Sequence, residues 1–277
     1  MPTSLHPAAR LLPLLLLAAC ATAAAKPPAE QPDNLLNDTF TLQAGLMLSS
    51  NQTNIRYDSA AGTVGTVING ENDLALPSHK LTGMGELMFR VHKRHTIRLS
   101  DYYLPLDRRA TTLLTQTVNF GNSTYNIGDE VSSELQVRML GLAYTYSFIQ
   151  NDRLELGASL GFNVIGLSAS LSVPARLVAE YDEVSTPVPL AGLEGTVRMS
   201  SRFYLEARFQ DVHVHINDVQ GSLEVYQGNL LYRLSPNVTF GLGYNGYSVD
   251  ADIESTGNAG HFALKSGGPQ LFVRVGL

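Results

Sequence analysis

The chain has almost no cysteine, no long apolar run and little charge. A single cysteine, Cys20, stands among 277 residues, so no disulfide framework can hold the fold. No run reaches the ~18 apolar residues of a membrane-crossing helix. Charged residues make up 16% of the chain and the net charge is −6. That charge comes with no basic stripe, so nucleic acid is not an expected partner. Hydrophobic content is ordinary at 44%, and the length fits one large all-β domain or two small ones.

The first 25 residues read as a secretory signal peptide. Arg10 precedes a short apolar core from Leu11 to Ala19, and small residues follow. Ala23-x-Ala25 offers an ordinary cleavage site. Leu17-Ala18-Ala19-Cys20 also resembles a bacterial lipobox, in which Cys20 is acylated after cleavage. The mature protein then carries no cysteine, or one lipidated cysteine. Residues 26–38, rich in Pro, Glu, Asn and Asp, read as a flexible linker. The remainder, 39–277, is expected to be one domain.

That remainder alternates with period two, the mark of strands with one greasy and one wet face. In the fifth such segment Leu154, Leu156, Ala158, Leu160, Phe162 and Val164 oppose Glu155, Gly157, Ser159, Gly161 and Asn163. The last segment sets Leu271, Val273, Val275 and Leu277 against Gln270, Arg274 and Gly276, with Phe272 out of pattern. About ten strands are expected, within a range of 8–12. Most connections alternate long and short. Long ones are expected over Ser50–Ser78, Asp107–Glu130, Pro174–Pro187 and Asp250–Gly268. Short ones fall at Lys93-Arg94, Gln150–Arg153, Ser200–Arg202 and Ser235–Asn237. Such alternation belongs to an antiparallel transmembrane β-barrel with short periplasmic turns and long extracellular loops. An even strand number leaves both termini periplasmic.

The faces decide between a soluble sandwich and a membrane barrel. The apolar face carries large residues, with Tyr and Phe near strand ends, as interfacial girdles do. The polar face carries Gly, Ser and Thr beside Glu86, Arg90, Arg98, Glu155, Glu194, Arg198, Glu206, Arg208 and Arg274. Turned inward, those charges form a network that pairs between neighbouring strands and narrows the lumen. In several strands the apolar parity flips on the long-loop side. After Val164 it passes to Ile165, Leu167, Ala169 and Leu171, and after Gln210 to Val212, Val214 and Ile216. A bulge or a change of surroundings would do this. We expect a wall that outgrows the membrane and packs apolar side chains inward there.

With these features the chain resembles the small Gram-negative outer-membrane β-barrel proteins. Leu271, Val273, Val275 and Leu277 match their C-terminal signal, which the barrel-assembly machinery reads, although Leu277 stands where Phe is usual. The stretch Gly65 to Leu74, with Tyr102-Tyr103 and Arg108, resembles the first outer loop of an uncharacterised proteobacterial barrel group. The resemblance implies the cell outer membrane as location. It also implies outer-membrane lipid, lipopolysaccharide and the assembly machinery as partners.

Candidate sites are few. Asp211, His213 and His215 share one strand face, with Asn217 next in line. Two histidines at i and i+2 can hold a metal, and Asp–His pairs serve hydrolases; the favoured account is a wet face at the extracellular rim. Glu71 and Asp73, with Asp58 nearby in the first loop, can bind a divalent cation; a solvated acidic loop is the favoured account. No catalytic residue, metal ligand or cofactor is assigned. The leading expectation is a non-enzymatic outer-membrane protein, structural or presenting its loops to a ligand or partner. A narrow passive channel for small solutes comes second, and a hydrolase of the rim third.

Overall fold

The computed structural model describes residues 34–277 apart from 59–64, 108–111, 116, 121–122, 174–177, 217–218 and 256–257. The leader and residues 26–33 lie outside them. Ten long strands form one closed antiparallel barrel: β1 (Phe40–Tyr57), β2 (His79–His92), β3 (His95–Asp107), β4 (Glu130–Gln150), β5 (Leu154–Val173), β6 (Val178–Arg198), β7 (Phe203–Ile216), β8 (Val219–Arg233), β9 (Val238–Ser255) and β10 (Asn258–Gly276). Each pairs with the next, and β10 returns to β1 with Leu271 opposite Leu46. Closure leaves no sheet edge around the lower wall, as lipid demands.

Turns at the short-turn end are set by their own side chains. Asn151 Oδ1 accepts from the N–H groups of Arg153 and Leu154. Ser200 Oγ does the same for Arg202 and Phe203, and Ser235 Oγ for Val238. Asn and Ser reverse a chain by this local bonding.

The opposite end differs from expectation. The segments Pro174–Pro187 and Asp250–Gly268 are largely strand. β6 starts at Val178 and pairs with β5, while β9 and β10 stay paired up to Ser255 opposite Asn258. β1 likewise runs to Tyr57. Only the β1–β2 and β3–β4 connections are long. They carry a short strand at Ile68–Asn69, a helical turn at Gly70–Asp73 and a hairpin of Val118–Phe120 with Ser123–Tyr125. The longest strands, β4 and β6, have 21 residues each, about twice the 9–11 needed to cross a bilayer. In the surplus halves polar residues occur on both faces, so the alternation faded there.

The lower wall turns its greasy face out. Leu46, Leu81, Phe89, Leu142, Leu160, Leu193, Leu205, Leu230, Leu242 and Leu271 are all exposed large apolar residues. Outward aromatics flank this band. Phe203 and Tyr232 pack near the short turns with ring centres 5.1 Å apart, and Tyr226 and Tyr244 stack nearer the long-loop end at 6.2 Å. Between these positions Gln43, Asn229, Gln270 and Arg274 point inward and are buried.

Higher up, the chemistry of the two faces swaps while the pleat continues. β7 and β8 keep one unbroken register from Phe203 to Ile216, so the parity flip after Gln210 is not a bulge. Among the described residues, register shifts occur only near the short turns, at Arg90/His92 and Ser147/Ile149. Many inward positions above the swap are apolar: Leu104 and Leu106 on β3, Leu135 and Val137 on β4, Leu223 on β8, Leu264 on β10. The two long connections drop Ile68, Leu74, Leu76, Leu114, Val118 and Tyr125 onto them. The upper barrel therefore holds an ordinary hydrophobic core.

Leu160→Arg places a cation on the lower outward face, at a cost of roughly 2–4 kcal/mol where lipid lies. Ser222→Arg lies on the outward face beside the buried Leu223, above the swap. In detergent refolding, we expect the first to lose most of its folded, heat-resistant gel band and the second to keep it. Equal yields would overturn the assignment of faces.

Candidate functional site

Inward charges gather in one layer below the apolar core. Arg90 grips Glu155 with two parallel bonds of 2.8 and 2.9 Å. Arg98 pairs with Glu194, and its Nε lies 3.8 Å from Glu86 Oε1. Arg208 Nη2 donates to Glu86 at 2.6 Å and to Gln227 at 2.5 Å. Arg274 binds Glu206 through both Nη atoms, while Gln43 Oε1 accepts from its Nε and Nη2. Asn229 donates to Glu206 as well.

Four of these ion pairs reach across the lumen, and one, Arg98 with Glu86, joins the neighbouring strands β3 and β2. Glu194 and Arg208 are register partners on β6 and β7, yet each bonds elsewhere. Arg208 meets Glu86 of β2 on the opposite side of the ring, and Glu194 meets Arg98 of β3. In a barrel this narrow, long inward side chains converge on the axis. Arg198 is the exception in the expected set: its Nε donates to the Ser200 carbonyl at the short turn, outside the layer.

Two cavities flank the layer. The upper measures about 40 Å³ and the lower about 80 Å³ as space open to the centre of a water molecule. Each has room for a few waters at roughly 10–15 Å³ apiece. Arg98, Arg208 and Gln227 line both and form the diaphragm between them.

The lower cavity is closed by residues expected to be linker. Asn34–Asp38 is ordered in the barrel mouth, where Leu35–Asn37 form a 3-10 turn with Leu35 and Leu36 buried. Leu35 packs with Tyr204, Leu231 and Phe272, and its N–H donates to the Tyr204 hydroxyl. Phe272, the residue out of pattern, points inward over its register partner Gly241, where a Cβ would strike the ring. Asp38 accepts two bonds of 2.9 Å from Arg233, whose side chain is 1% exposed. Burial pushes the Asp38 carboxyl above its ordinary value, and Arg233 pulls it only partly back. Such a pair fixes geometry more than it adds stability. Composition alone hid this stopper: Leu35 and Leu36 are two apolar residues in a polar stretch, and Arg233 is 195 residues from Asp38.

The rim residues do not form a pocket. Gln210 points inward, so Asp211, His213 and His215 point out from the wall. Asp211 Oδ2 is 3.6 Å from His213 Nδ1, and the His213 side chain is 78% exposed. The register partner of Asp211 is Glu224 on β8. Asn217 and Arg108 lie outside the described residues. A second outward group was not singled out from sequence: Asp250, Asp252 and His261, with ligand atoms within 4.8 Å of one another. The acidic loop residues are committed to backbone. Glu71 accepts from Thr53 N–H, Asp73 from Asn69 N–H, and Asp58 from Gly65 N–H.

A ten-stranded antiparallel ring with this outward apolar band has solved counterparts. The outer membrane protease OmpT from Escherichia coli superposes with a TM-score of 0.51 at 12% identity, covering 92% of this chain and 100% of that one. The fold is that of an outer-membrane β-barrel protein. The toluene transporter TbuX of Ralstonia pickettii matches at a TM-score of 0.40 and 10% identity, over 90% of this chain and 92% of that one. The attachment invasion locus protein Ail of Yersinia pestis matches at 0.33 and 8%, over 83% and 97%. No protein-family model matches the sequence, and no curated protein sequence does either. At such identities the likeness concerns architecture alone.

Asp38→Ala strands Arg233 in a buried site, and breaking one partner of such a pair costs about 3–5 kcal/mol. Protease resistance near residues 34–38 should fall, and the double change Asp38→Ala/Arg233→Met should restore part of it. Acidification tests the same contact. Because the folded-state value of Asp38 is raised, the docked turn binds the proton more tightly than the free one. Docking should tighten as pH falls from above that raised value toward the ordinary carboxylate range. Hydrogen exchange at Leu35–Asn37 should slow accordingly; faster exchange would reverse the sign.

Proposed function

We propose that this chain is an integral outer-membrane protein of a Gram-negative cell, non-enzymatic and with a closed lumen, whose outward business is done by the rigid platform at its long-loop end. The observation that carries this reading is the stack of three seals along one axis. From the long-loop end they are the apolar core, the paired-charge diaphragm and the Leu35–Leu36 stopper. A solute would have to displace all three. The apolar core also fixes the loops from beneath: Ser133 Oγ donates to the Leu74 carbonyl, and Asn51 N–H to the Ser78 carbonyl. Loops held in this way present a preformed surface, which lowers the ordering cost of binding a partner.

On this reading the short turns and both termini are periplasmic, and residues 1–25 are removed as a signal peptide. Lipid and lipopolysaccharide surround the apolar band. Leu271, Val273, Val275 and Leu277 are the signal taken by the assembly machinery; Leu271 and Leu277 lie exposed on the outward face. The second reading is a narrow channel, favoured by the two cavities on one axis that share Arg98, Arg208 and Gln227.

Conductance separates the two. In a planar bilayer the purified protein should show rare, small openings at most, and Glu194→Ala should leave it closed, because the apolar core and the stopper remain. Steady conductance in the parent, or a clear rise with Glu194→Ala, would promote the channel.

A further inference from the structure

We propose that the upper lumenal cavity is a binding site for a small monovalent anion of chloride or formate size. Two arginines reach it with donors to spare. Arg208, its side chain 10% exposed, makes both of its bonds through Nη2, and its Nε–H has no acceptor. Arg98 spends Nη1 on Glu194 and Nη2 on the Met88 sulfur at 3.4 Å. Its Nε–H also lacks a hydrogen bond. Asn245, 1% exposed, lines the same cavity and leaves Oδ1 unpartnered. Its Nδ2 bonds the Tyr247 hydroxyl at 2.8 Å. Amide oxygen and nitrogen are interchangeable assignments. Turned over, the amide keeps its bond by accepting from that hydroxyl and offers Nδ2 to the cavity as another donor.

Charge and size choose the guest. Two guanidinium groups and two carboxylates, Glu86 and Asp101, line the upper cavity, but the half-exposed Asp101 side chain is held by two donors of Arg138. Glu194, which neutralises Arg98, lies with the lower one. Buried donors without acceptors are costly, and an anion accepts from several at once through strong charge-assisted bonds. An apolar guest would leave them unpaired, and a cation would oppose both arginines. A volume of about 40 Å³ admits an ion of one to three heavy atoms.

The wall beside the chamber is the place where two strands part. β6 and β7 stop pairing at Ala191 opposite Asp211, although β6 continues upward on β5 to Val178 and β7 on β8 to Ile216. Pro187 and Pro189 account for the parting. Proline has no N–H to give, so within a sheet it belongs on an unpaired edge. Leu190 and Gln210, next above and below the last pair on their strands, line the cavity. Above this pair the two strands are not paired, so the wall parts beside the chamber, with Val188 and Val212 on either side packed against the apolar core.

The test uses bromide as the probe. Crystals of the full mature chain soaked in sodium bromide should show an anomalous peak within hydrogen-bond reach of Arg208 Nε. In solution, melting of the gel-stable barrel should rise saturably with sodium chloride over sodium gluconate at equal ionic strength. Asn245→Asp adds a carboxylate to the chamber while keeping both arginines, and should weaken the apparent chloride affinity at least tenfold. Should that variant fail to fold, the bromide map of the unmodified protein decides alone. No peak in the cavity, bromide at surface positions only, or an identical chloride response in Asn245→Asp would overturn the proposal and leave the chamber to water.

Discussion

A closed ladder gives every strand two faces that alternate without pause, while the medium beyond the outer face changes part-way up from lipid to water. The whole molecule answers to that mismatch. The pleat cannot turn over, because a one-residue slip would reverse every side chain on the strand. Only the chemistry of the sequence can change, and it does so on most of the ring, whereas β1 keeps Ser49, Asn51 and Thr53 buried and inward. Below the change, Leu160 and Leu205 face out while Ser159 and Glu206 face in. Above it, Val212 and Leu223 face in while His213 and Ser222 face out. One barrel thus contains a membrane protein's inverted interior and a soluble protein's ordinary one, stacked on a continuous backbone.

The seam between the two interiors is where the charges sit. Inward polar groups in the lower half have no bulk water to bond and no neighbours of their own strand close enough to satisfy them. They are met from across the axis: Glu86 by Arg208, Glu194 by Arg98, Glu206 by Arg274. Such links tie strands that share no backbone bonds, so the cross-section is braced as a wheel is by spokes. Neutral amides do part of the same work, although the Nε groups of Arg98 and Arg208 keep no acceptor. Gln43, Gln227 and Asn229 take some of the bonds that the carboxylates and guanidinium groups leave over. Removing a single carboxylate would leave a buried arginine without its counter-charge, the more damaging half of any such exchange.

Period-two alternation made the strand number, the four short turns and the facing of the lower wall legible, because lipid enforces a one-sided pattern there. The same rule explains what was not legible. Above the lipid both faces carry polar residues, so the tops of β6, β9 and β10 read as loops. The loop residues that complete the upper core, such as Leu74, Val118 and Tyr125, are single apolar positions without period. The inward charges, Arg198 apart, were visible as a set, but most of their partners were not, since register predicts contacts along the wall, as between Arg98 and Glu86, and the other ion pairs cross the lumen. Asp38 and Arg233 escaped for a similar reason: nothing local in residues 26–38 distinguishes a tether from a stopper.

Likeness of fold to an outer-membrane protease raises the question of what Asp211 and His213 would need in order to act as a hydrolytic pair. They would need a cleft on their own face and an opposing acidic partner to hold a water. Their parity denies them the barrel interior. Gln210 is bonded to Ser159 inside the lumen, and Val212 packs against the apolar core. Both anchors would have to be given up before the strand could present Asp211 and His213 inward. The inward direction at that height is occupied by packed aliphatic side chains, a poor place for an ionised pair. The outward direction is open to solvent, where an exposed Asp–His contact at 3.6 Å contributes little to stability. The architecture shared with the protease therefore does not carry its chemistry to these two residues, and the molecule's specific surface is better sought where the apolar core holds the two long connections in place.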